Sequence, residues 1–146
     1  GPAGLIRKAR TMARTDTFHC SVITPERAML ETDATFVAFP AHDGEVGILA
    51  HRAPLLFRLG IGELRVESPE GNQILFIAGG FAQMVENRLT LLTEAAKRLD
   101  EIDPAAVDRL LAEARAMPMG DARQRALRAA EAQRHLLSKH GTGRAA

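Results

Sequence analysis

Apolar and polar residues alternate through most of the first two thirds of the chain with the period of two that half-buried β-strands produce. Phe18, Cys20 and Val22 alternate with polar neighbours, while residues 74–78 form a nearly continuous apolar run suited to burial on both faces. Turn-forming residues recur about every 8–12 positions. The pattern predicts about eight to ten short strands in about 80 residues, arranged as an antiparallel sandwich or a flattened barrel.

Proline and glycine mark the places where these strands should end. Residues 24–27 (Thr-Pro-Glu-Arg) break the first strand, and Pro40 is predicted to end the strand at residues 34–39. The consecutive glycines at 79 and 80 indicate a bulge or a close contact between backbones. A turn at residues 86–88 joins two apolar runs into a predicted hairpin.

Residues 43–56 (DGEVGILAHRAPLL) suit neither a helix nor an uninterrupted strand. Gly44 and Gly47 can adopt the positive φ angles of a tight turn, and Pro54 fixes its own φ and removes a backbone donor. We therefore predict a surface loop that leads into an edge strand, and such loops are where partners commonly bind. Three side chains of this loop should point outward: Glu45, His51 and Arg52.

The period changes from two to 3.6 after Thr93, which predicts two helices. Asp103 is the predicted N-cap of the first helix, with Pro104 in the first helical position. Apolar residues follow at helical spacing: Val107, Leu110, Leu111, Ala114 and Met117. Residues 118–120 (Pro-Met-Gly) should end this helix.

Asp121 and Gln124 have the spacing of a capping box, which predicts the start of the second helix. Its apolar stripe is thin and consists of Leu127, Ala130 and Leu137. The short link favours an antiparallel helical hairpin. Because the apolar faces are narrow and rich in alanine, they bury little area at about 25 cal/mol per Å². The hairpin is therefore a candidate mobile element that docks on the sandwich or detaches from it.

These patterns divide the chain into four segments. We interpret residues 1–17 as a leader with little structure, which is a tag remnant, an upstream extension or part of a transit peptide. Residues 18–96 are the predicted β-sandwich domain and residues 97–140 the two-helix C-terminal domain. Residues 141–146 are a predicted frayed tail.

Charge is distributed unevenly along the chain, although the formal net charge is only +1. Residues 19–103 carry seven Lys or Arg against thirteen Asp or Glu, whereas residues 104–146 carry eight against four. An acidic body with a basic tail suggests two parts with different partners. The acidic body, together with arginines that are not grouped with aromatic residues, argues against nucleic-acid binding. No stretch approaches the roughly 20 apolar residues of a membrane-spanning helix.

The sequence contains no recognisable catalytic or metal-binding motif. His42, Asp43, Glu45 and His51 lie close together, but no pair has the spacing of a zinc motif. We therefore expect solvated loop side chains there and no metal. Cys20, the single cysteine, lies in an alternating run and is predicted to be a packed core thiol. The chain is predicted to be non-catalytic.

Two motifs of the sequence resemble a known family. Residues 40–56 (PAHDGEVGILAHRAPLL) and residues 77–96 (IAGGFAQMVENRLTLLTEAA), followed by a helical hairpin, resemble the epsilon subunit of bacterial F-type ATP synthase. The mitochondrial homologue of that subunit is called delta. The resemblance implies a β-sandwich of about ten antiparallel strands in two sheets, followed by a C-terminal antiparallel α-helical hairpin.

The same resemblance implies a function and a place in the cell. It implies a non-catalytic, regulatory subunit of the central stalk of the rotor, which joins gamma to the membrane c-ring. The complex couples ATP synthesis to H⁺ or Na⁺ transport, and the subunit is peripheral at the cytoplasmic face of the bacterial inner membrane.

The resemblance also assigns residues to three interfaces. One loop would face the polar loops of the c-ring, and Glu45 would be its implicated acid: His42, Asp43, Gly44, Glu45 and Gly47. A second set would lie toward gamma: Thr24, His51, Arg52 and Gln83. The basic face of the second helix would meet acidic loops of the catalytic beta and alpha subunits and inhibit ATP hydrolysis: Arg123, Arg125, Arg128 and Arg134.

Three features depart from the pattern of the family. The family has P-G-H-A-P where this chain has A-H-R-A-P, so Arg52 replaces the usual histidine, for which a guanidinium is no close substitute. Gln83 stands where an acid is common. Some members bind ATP through the motif [I/L]-D-x-x-R-A. In this chain Arg125 and Ala126 follow Asp121 one residue too late, which turns the arginine about 100° around the helix and predicts weak or no ATP binding.

A second interpretation is a free-standing β-sandwich module that binds other proteins and dimerises through its helical hairpin. A concentration-dependent dimer with no affinity for gamma would favour this alternative.

Overall fold

The computed structural model describes residues 16–141, which fold into a β-sandwich followed by two helices. The ten strands, numbered along the chain, are β1 (Phe18–Ile23), β2 (Ala28–Ala34), β3 (Phe36–Ala41), β4 (Gly44–Leu49), β5 (Leu55–Arg58), β6 (Ile61–Ser68), β7 (Gly71–Ala78), β8 (Phe81–Val85), β9 (Arg88–Leu92) and β10 (Ala95–Arg98). The predictions for residues 1–15 and 142–146 lie outside the described residues.

The strands form two five-stranded sheets. The order of the first sheet is β2-β1-β9-β8-β5, and that of the second sheet is β10-β7-β6-β3-β4. Neighbouring strands run antiparallel except β1 and β9, which run parallel with Cys20 opposite Leu89. Alternation of apolar and polar residues shows which side of a strand is buried, but it does not show whether a neighbouring strand runs parallel or antiparallel. The parallel pairing of β1 with β9 could therefore not be predicted.

The sandwich core lies between the sheets and consists of side chains that alternate along the strands. Fully buried members include Phe18, Cys20, Phe39, Leu64, Ile77, Met84 and Leu91. Cys20 is fully buried, which confirms the prediction of a packed core thiol, and burial raises the pKa of this thiol to about 12. Strand β7 is buried on both faces, as its apolar run predicted. Leu75 and Ile77 belong to the sandwich core, while Phe76 lies on the opposite face.

Strand β3 continues through Pro40 to Ala41, so the prediction that Pro40 ends this strand is wrong. Strand β6 pairs with β3 only as far as Ala38, and the missing N–H of Pro40 therefore breaks no ladder hydrogen bond with β6. The carbonyl of Pro40 still accepts a hydrogen bond of 2.9 Å from the backbone N–H of Gly60.

Gly79 and Gly80 carry the chain from β7 in the second sheet to β8 in the first sheet. Both have positive φ angles, 72° and 101°. A Cβ atom on Gly80 would lie 1.9 Å from the carbonyl oxygen of Leu92, so no side chain fits there. This confirms the predicted close contact between backbones.

A 3₁₀ turn (Leu99–Glu101) precedes two helices, α1 (Pro104–Ala116) and α2 (Asp121–His140). Asp103 caps α1 as predicted, and its carboxylate accepts a 3.2 Å hydrogen bond from the N–H of Ala105. The capping box predicted at Asp121 and Gln124 is wrong. Gly120 is the N-cap, and Asp121 is already the first helical residue. The negative charge of Asp121 in the first turn still favours α2, because it lies at the positive end of the helix dipole.

The helices pack against each other, and α2 lies on the outer face of the second sheet at β6 and β7. The buried residues of this helix–sheet cluster are Phe76, Ile102, Val107, Leu111, Ala130 and Leu136. The predicted stripe of α1 is confirmed at Val107, Leu111 and Ala114, but Leu110 is exposed.

The stripe predicted on α2 is only partly correct. Ala130 is buried, but Leu127 and Leu137 are half-buried, and the unpredicted Gln133 and Leu136 complete the buried set. Helix α2 lies against both α1 and the second sheet, and it therefore buries a wider arc than its leucine spacing suggests.

The sheet extends beyond the predicted domain boundary at residue 96, because β10 pairs with β7 as far as Arg98. The Arg98 guanidinium donates a 2.7 Å hydrogen bond to the carbonyl of Met29. A hydrogen bond from the backbone N–H of Arg98 and a 3.1 Å ion pair with Arg27 lower the pKa of Glu101. The link between sandwich and helices is thus fastened to the first sheet as well as the second.

Candidate functional site

The loop predicted to face the c-ring is a hairpin turn followed by an edge strand. His42 and Asp43 form the turn between β3 and β4, Gly44 begins β4 with a φ of 139°, and Glu45 lies exposed opposite Pro40. Six of the fourteen residues predicted as a loop (43–56) therefore form strand β4. Its outer edge has no partner in the described part of the sheet, and such a strand tolerates the glycines that suggested a loop.

Gly47 has a different role from the predicted turn. Its φ is not positive, and the ring of Phe36 occupies the space where its side chain would stand, 2.9 Å from the Cβ position. The guanidinium of Arg65 lies over the same ring at 5.5 Å from its centroid. Gly47 thus leaves room for a cation–π pair on the face of the second sheet.

His51 and Arg52 lie at the other end of β4, which spans about 17 Å at about 3.3 Å per residue. His51 adopts a φ of 64°, and its backbone N–H donates a 2.7 Å hydrogen bond to the side-chain oxygen of Asn87. Its ring lies 3.0 Å from the carboxylate of Asp16, and both His51 and Arg52 are exposed, as predicted. The structure therefore places the two predicted contact regions of this segment at opposite ends of the sandwich.

Gln83 lies on the outer side of the first sheet, between Leu56 on β5 and Thr90 on β9. Three large apolar side chains on this side are unusually exposed: Leu56 (67%), Phe81 (53%) and Leu92 (54%). We call Leu56, Phe81, Gln83 and Leu92 the outer apolar face. Phe81 and Leu92 are direct cross-strand neighbours.

The outer apolar face was not predicted from the sequence, although a signal for it was present. Strands β8 and β9 carry apolar residues on both sides, since Ala82, Met84, Leu89 and Leu91 already fill the sandwich core. An exposed apolar face of this kind commonly marks a protein interface.

Thr24 does not present its side chain on this surface. It is 7% exposed, and its hydroxyl donates to the carbonyl of Arg27 at 3.1 Å and accepts from the N–H of Arg27 at 3.3 Å. These bonds close the turn between β1 and β2.

The four arginines predicted to form one basic face are divided by the structure. Arg134 forms an ion pair with Asp108 of α1, and Arg123 contacts the sulfur of Met119. Arg125 and Arg128 instead line a cleft of about 710 Å³ that also includes His42 and Arg58. The structure thus brings part of the basic face next to the turn predicted to face the c-ring.

Two further features bear on the type of protein. Within residues 16–141, no three His, Cys, Asp or Glu side chains lie close enough together to hold a metal ion. Over the same residues, neither helix has the length and apolar content that crossing a bilayer requires.

Comparisons with known proteins bear on the family and the fold of the chain. A profile of the β-sandwich domain of the ATP synthase delta/epsilon chain matches residues 17–99. The ATP synthase epsilon chain of Rhodopirellula baltica is 40% identical over 115 residues, which cover 79% of this chain and 90% of the relative. The epsilon chain of Lawsonia intracellularis is 39% identical over 87 residues, covering 60% and 65% of the two chains.

Two solved structures share the fold. A chain of the Euglena gracilis mitochondrial ATP synthase, in a structure of OSCP, F1 and the c-ring, superposes with a TM-score of 0.73 and 25% identity, covering 84% of this chain and 82% of that chain. A chain of the central stalk and c-ring of the Tetrahymena thermophila enzyme has a TM-score of 0.59 at 14% identity, covering 84% and 94% of the two chains. The chain described here belongs to the ATP synthase delta/epsilon chain family.

Proposed function

We propose that this chain is the epsilon subunit of an F-type ATP synthase, a non-catalytic part of the central stalk that couples gamma to the c-ring. The observation that carries the proposal is the outer apolar face, since three exposed apolar side chains grouped on one sheet are typical of a protein interface. Its relatives are named ATP synthase epsilon chain, and a similar solved chain occurs in an assembly of F1 and the c-ring.

Gamma is the proposed partner of the outer apolar face. Gln83 lies among Leu56, Phe81 and Leu92 and supplies both a donor and an acceptor there. Its amide is neutral, so burying it against gamma costs less than burying the carboxylate common at this position in the family. Arg52, exposed in the connection between β4 and β5, would contribute a charged contact with gamma.

The c-ring is the proposed partner of the β3–β4 turn. His42, Asp43 and Glu45 are exposed there, at the end of β4 remote from Arg52. The two sheets between these ends share one closely packed core, and a packed core transmits torque with little deformation. The sandwich would thus act as a rigid coupling between gamma and the ring.

The helical hairpin is the proposed regulatory element. In the docked arrangement Arg134 is paired with Asp108, while Arg125 and Arg128 face the sandwich cleft. An extended hairpin would release Arg125 and Arg128 toward acidic loops of the catalytic beta and alpha subunits and inhibit ATP hydrolysis. Extension would also expose Leu136 and Phe76, so it requires a partner that covers them.

Two further expectations complete the proposal. We expect weak or no ATP binding by the hairpin, because Asp121 and Arg125 keep their unfavourable spacing along α2. We place the subunit at the cytoplasmic face of the bacterial inner membrane, held there by gamma and the c-ring. The alternative of a dimerising hairpin has less support, because most of the large apolar side chains of α1 and α2 belong to the helix–sheet cluster.

Co-expression with tagged gamma from the same genome tests the proposal. We expect the chain to co-purify with gamma in a 1:1 complex, and to bring purified c-ring into that complex. A chain that stays monomeric and binds neither gamma nor the reconstituted complex would refute the proposal. A concentration-dependent dimer without affinity for gamma would favour the free-standing module.

A further inference from the structure

A cleft of about 710 Å³ lies between α2 and the sandwich. Its one side consists of strand ends and turns of the sandwich, and its other side is the first half of α2. Helix α2 contributes Ala126 and Ala129 to this wall, and their small side chains leave the space open. A volume of this size is typical of a site for a small molecule.

Three arginines line the cleft from two different elements. Arg58 belongs to β5, whereas Arg125 and Arg128 lie about one turn apart on α2, and we call these three residues the cleft arginines. Glu94 is the one acid among the described residues that line the cleft, and the imidazole of His42 adds a further hydrogen-bonding group. The lining thus carries three permanent positive charges against one negative charge.

No carboxylate neutralises the cleft arginines. Within residues 16–141, their side chains form neither an ion pair nor a hydrogen bond. Three other arginines of the fold each pair with an acid: Arg27, Arg65 and Arg134. The Glu94 carboxylate lies against Gly79, 2.9 Å from the position that a Cβ atom there would occupy. Because like charges repel, notably Arg125 and Arg128 at a spacing of three on one helix, the cleft favours an anion between them.

The floor of the cleft leaves the binding of an anion to these side chains. The backbone N–H groups of Leu59, Gly60 and Gly79 already donate hydrogen bonds to backbone carbonyls, at 2.8, 2.9 and 3.0 Å. They are therefore not free to cradle a phosphate as the backbone of a glycine-rich loop does.

The chemistry of the lining indicates the class of ligand. Guanidinium groups bind phosphate oxygens through paired N–H donors, and three of them in a cleft of this size suit more than one phosphate group. The described lining contains no Phe, Tyr or Trp on which a nucleobase would stack. Because the cleft arginines come from two elements on opposite sides, a soluble molecule fits between them better than a flat lipid surface does.

We propose that this cleft binds a small soluble ligand that carries two or more phosphate groups and no nucleobase. The cleft arginines hold its phosphate oxygens from both sides, and Glu94 opposes them with one negative charge. The site is a property of the isolated chain, and it does not depend on contacts with gamma or the c-ring.

Isothermal titration calorimetry of the full chain with inorganic diphosphate tests the proposal. The ionic strength is held constant, because exposed charges are screened by salt. We expect one diphosphate per chain, with a dissociation constant of about 1 mM or less.

Substitutions on both sides of the cleft locate the site. Arg58→Gln, and the double variant Arg125→Gln with Arg128→Gln, should each weaken diphosphate binding at least about tenfold, since each removes charged hydrogen bonds. Glu94→Gln should strengthen binding about threefold, because it removes the opposing negative charge. Arg88→Gln is the matched control, since Arg88 is exposed at the start of β9 and does not line the cleft. This control should bind diphosphate with the affinity of the parent.

The substituted side chains are all exposed, so the variants should keep the urea midpoint of the parent, which separates a loss of binding from a loss of fold. Three results would overturn the site: no binding by the parent, parental affinity in Arg58→Gln or in the double variant, or equal weakening by Arg58→Gln and Arg88→Gln. Weaker binding by Glu94→Gln would contradict it as well. None of these results depends on whether the chain binds gamma, which co-expression measures separately.

Discussion

Phe81→Glu weakens the binding of gamma by about 30-fold or more and leaves the chain folded. Phe81 lies beside Leu92 on the outer apolar face, and its side chain is about half exposed in the isolated chain. A carboxylate at this position would have to lose its water against gamma without a matched partner, at a cost of about 2 kcal/mol or more. Isothermal titration calorimetry of gamma with the purified variant measures the loss of affinity.

The matched control is Met119→Glu. Met119 is 83% exposed at the tip of the helical hairpin, so the same charge enters an exposed apolar position outside the outer apolar face. This variant should bind gamma with unchanged affinity, and both variants should unfold at the parent urea midpoint within error. Equal weakening by Phe81→Glu and Met119→Glu would show that the outer apolar face is not the gamma site.

Deleting residues 104–146 raises ATP hydrolysis by the assembled complex by about fivefold or more, the lower range of typical allosteric coupling. The deletion removes both helices, whereas the sandwich core contains no residue of either helix. The truncated chain should therefore still fold and assemble. Its second sheet would expose Phe76, which α1 and α2 cover in the full chain, so Phe76→Thr belongs in the truncated version to keep it soluble.

A double substitution tests the contribution of the arginines to inhibition separately from that of the rest of the hairpin. Arg125→Ala with Arg128→Ala leaves the helix–sheet cluster intact and removes two exposed charges from α2. This variant should relieve part of the inhibition in the full-length chain, as measured by ATP hydrolysis of the reconstituted complex. Unchanged hydrolysis in both the truncated and the double variant would refute an inhibitory role.

Much of the fold could be predicted because local patterns report burial directly. The alternation at Phe18, Cys20 and Val22 identified β1, and Asp103 with Pro104 identified the start of α1. These features depend on residues adjacent in the sequence. The parallel pairing of β1 with β9 could not be predicted in this way, because it joins residues far apart in the chain.

The wrong predictions share a physical cause. Pro40 appeared to end β3, but its position beyond the pairing with β6 removes the usual cost of a proline in a strand. Gly47 appeared to be a turn glycine, but it makes room for the ring of Phe36 from the neighbouring strand. In both cases the role of the residue depends on the strand that packs beside it, and its local conformational preference suggests a different role.

The site was only partly predictable for the same reason. Glu45, His51 and Arg52 are exposed as expected, but their segment places them at opposite ends of the sandwich. Leu56, Phe81 and Leu92 come from three strands, and only the assembled sheet places them around Gln83. A contact surface built across strands has no contiguous sequence motif.

The central claim is that the outer apolar face is covered by gamma in the assembled rotor. Gln83→Cys is exposed on that face, and the only native thiol, Cys20, is buried and has a raised pKa, so a maleimide reagent should report on position 83 alone. We expect that adding gamma slows the labelling of Gln83→Cys at least about tenfold, whereas Glu70→Cys in the β6–β7 turn is labelled at its original rate. If Gln83→Cys is labelled at the same rate in the free chain and in a 1:1 complex with gamma, gamma does not cover the outer apolar face.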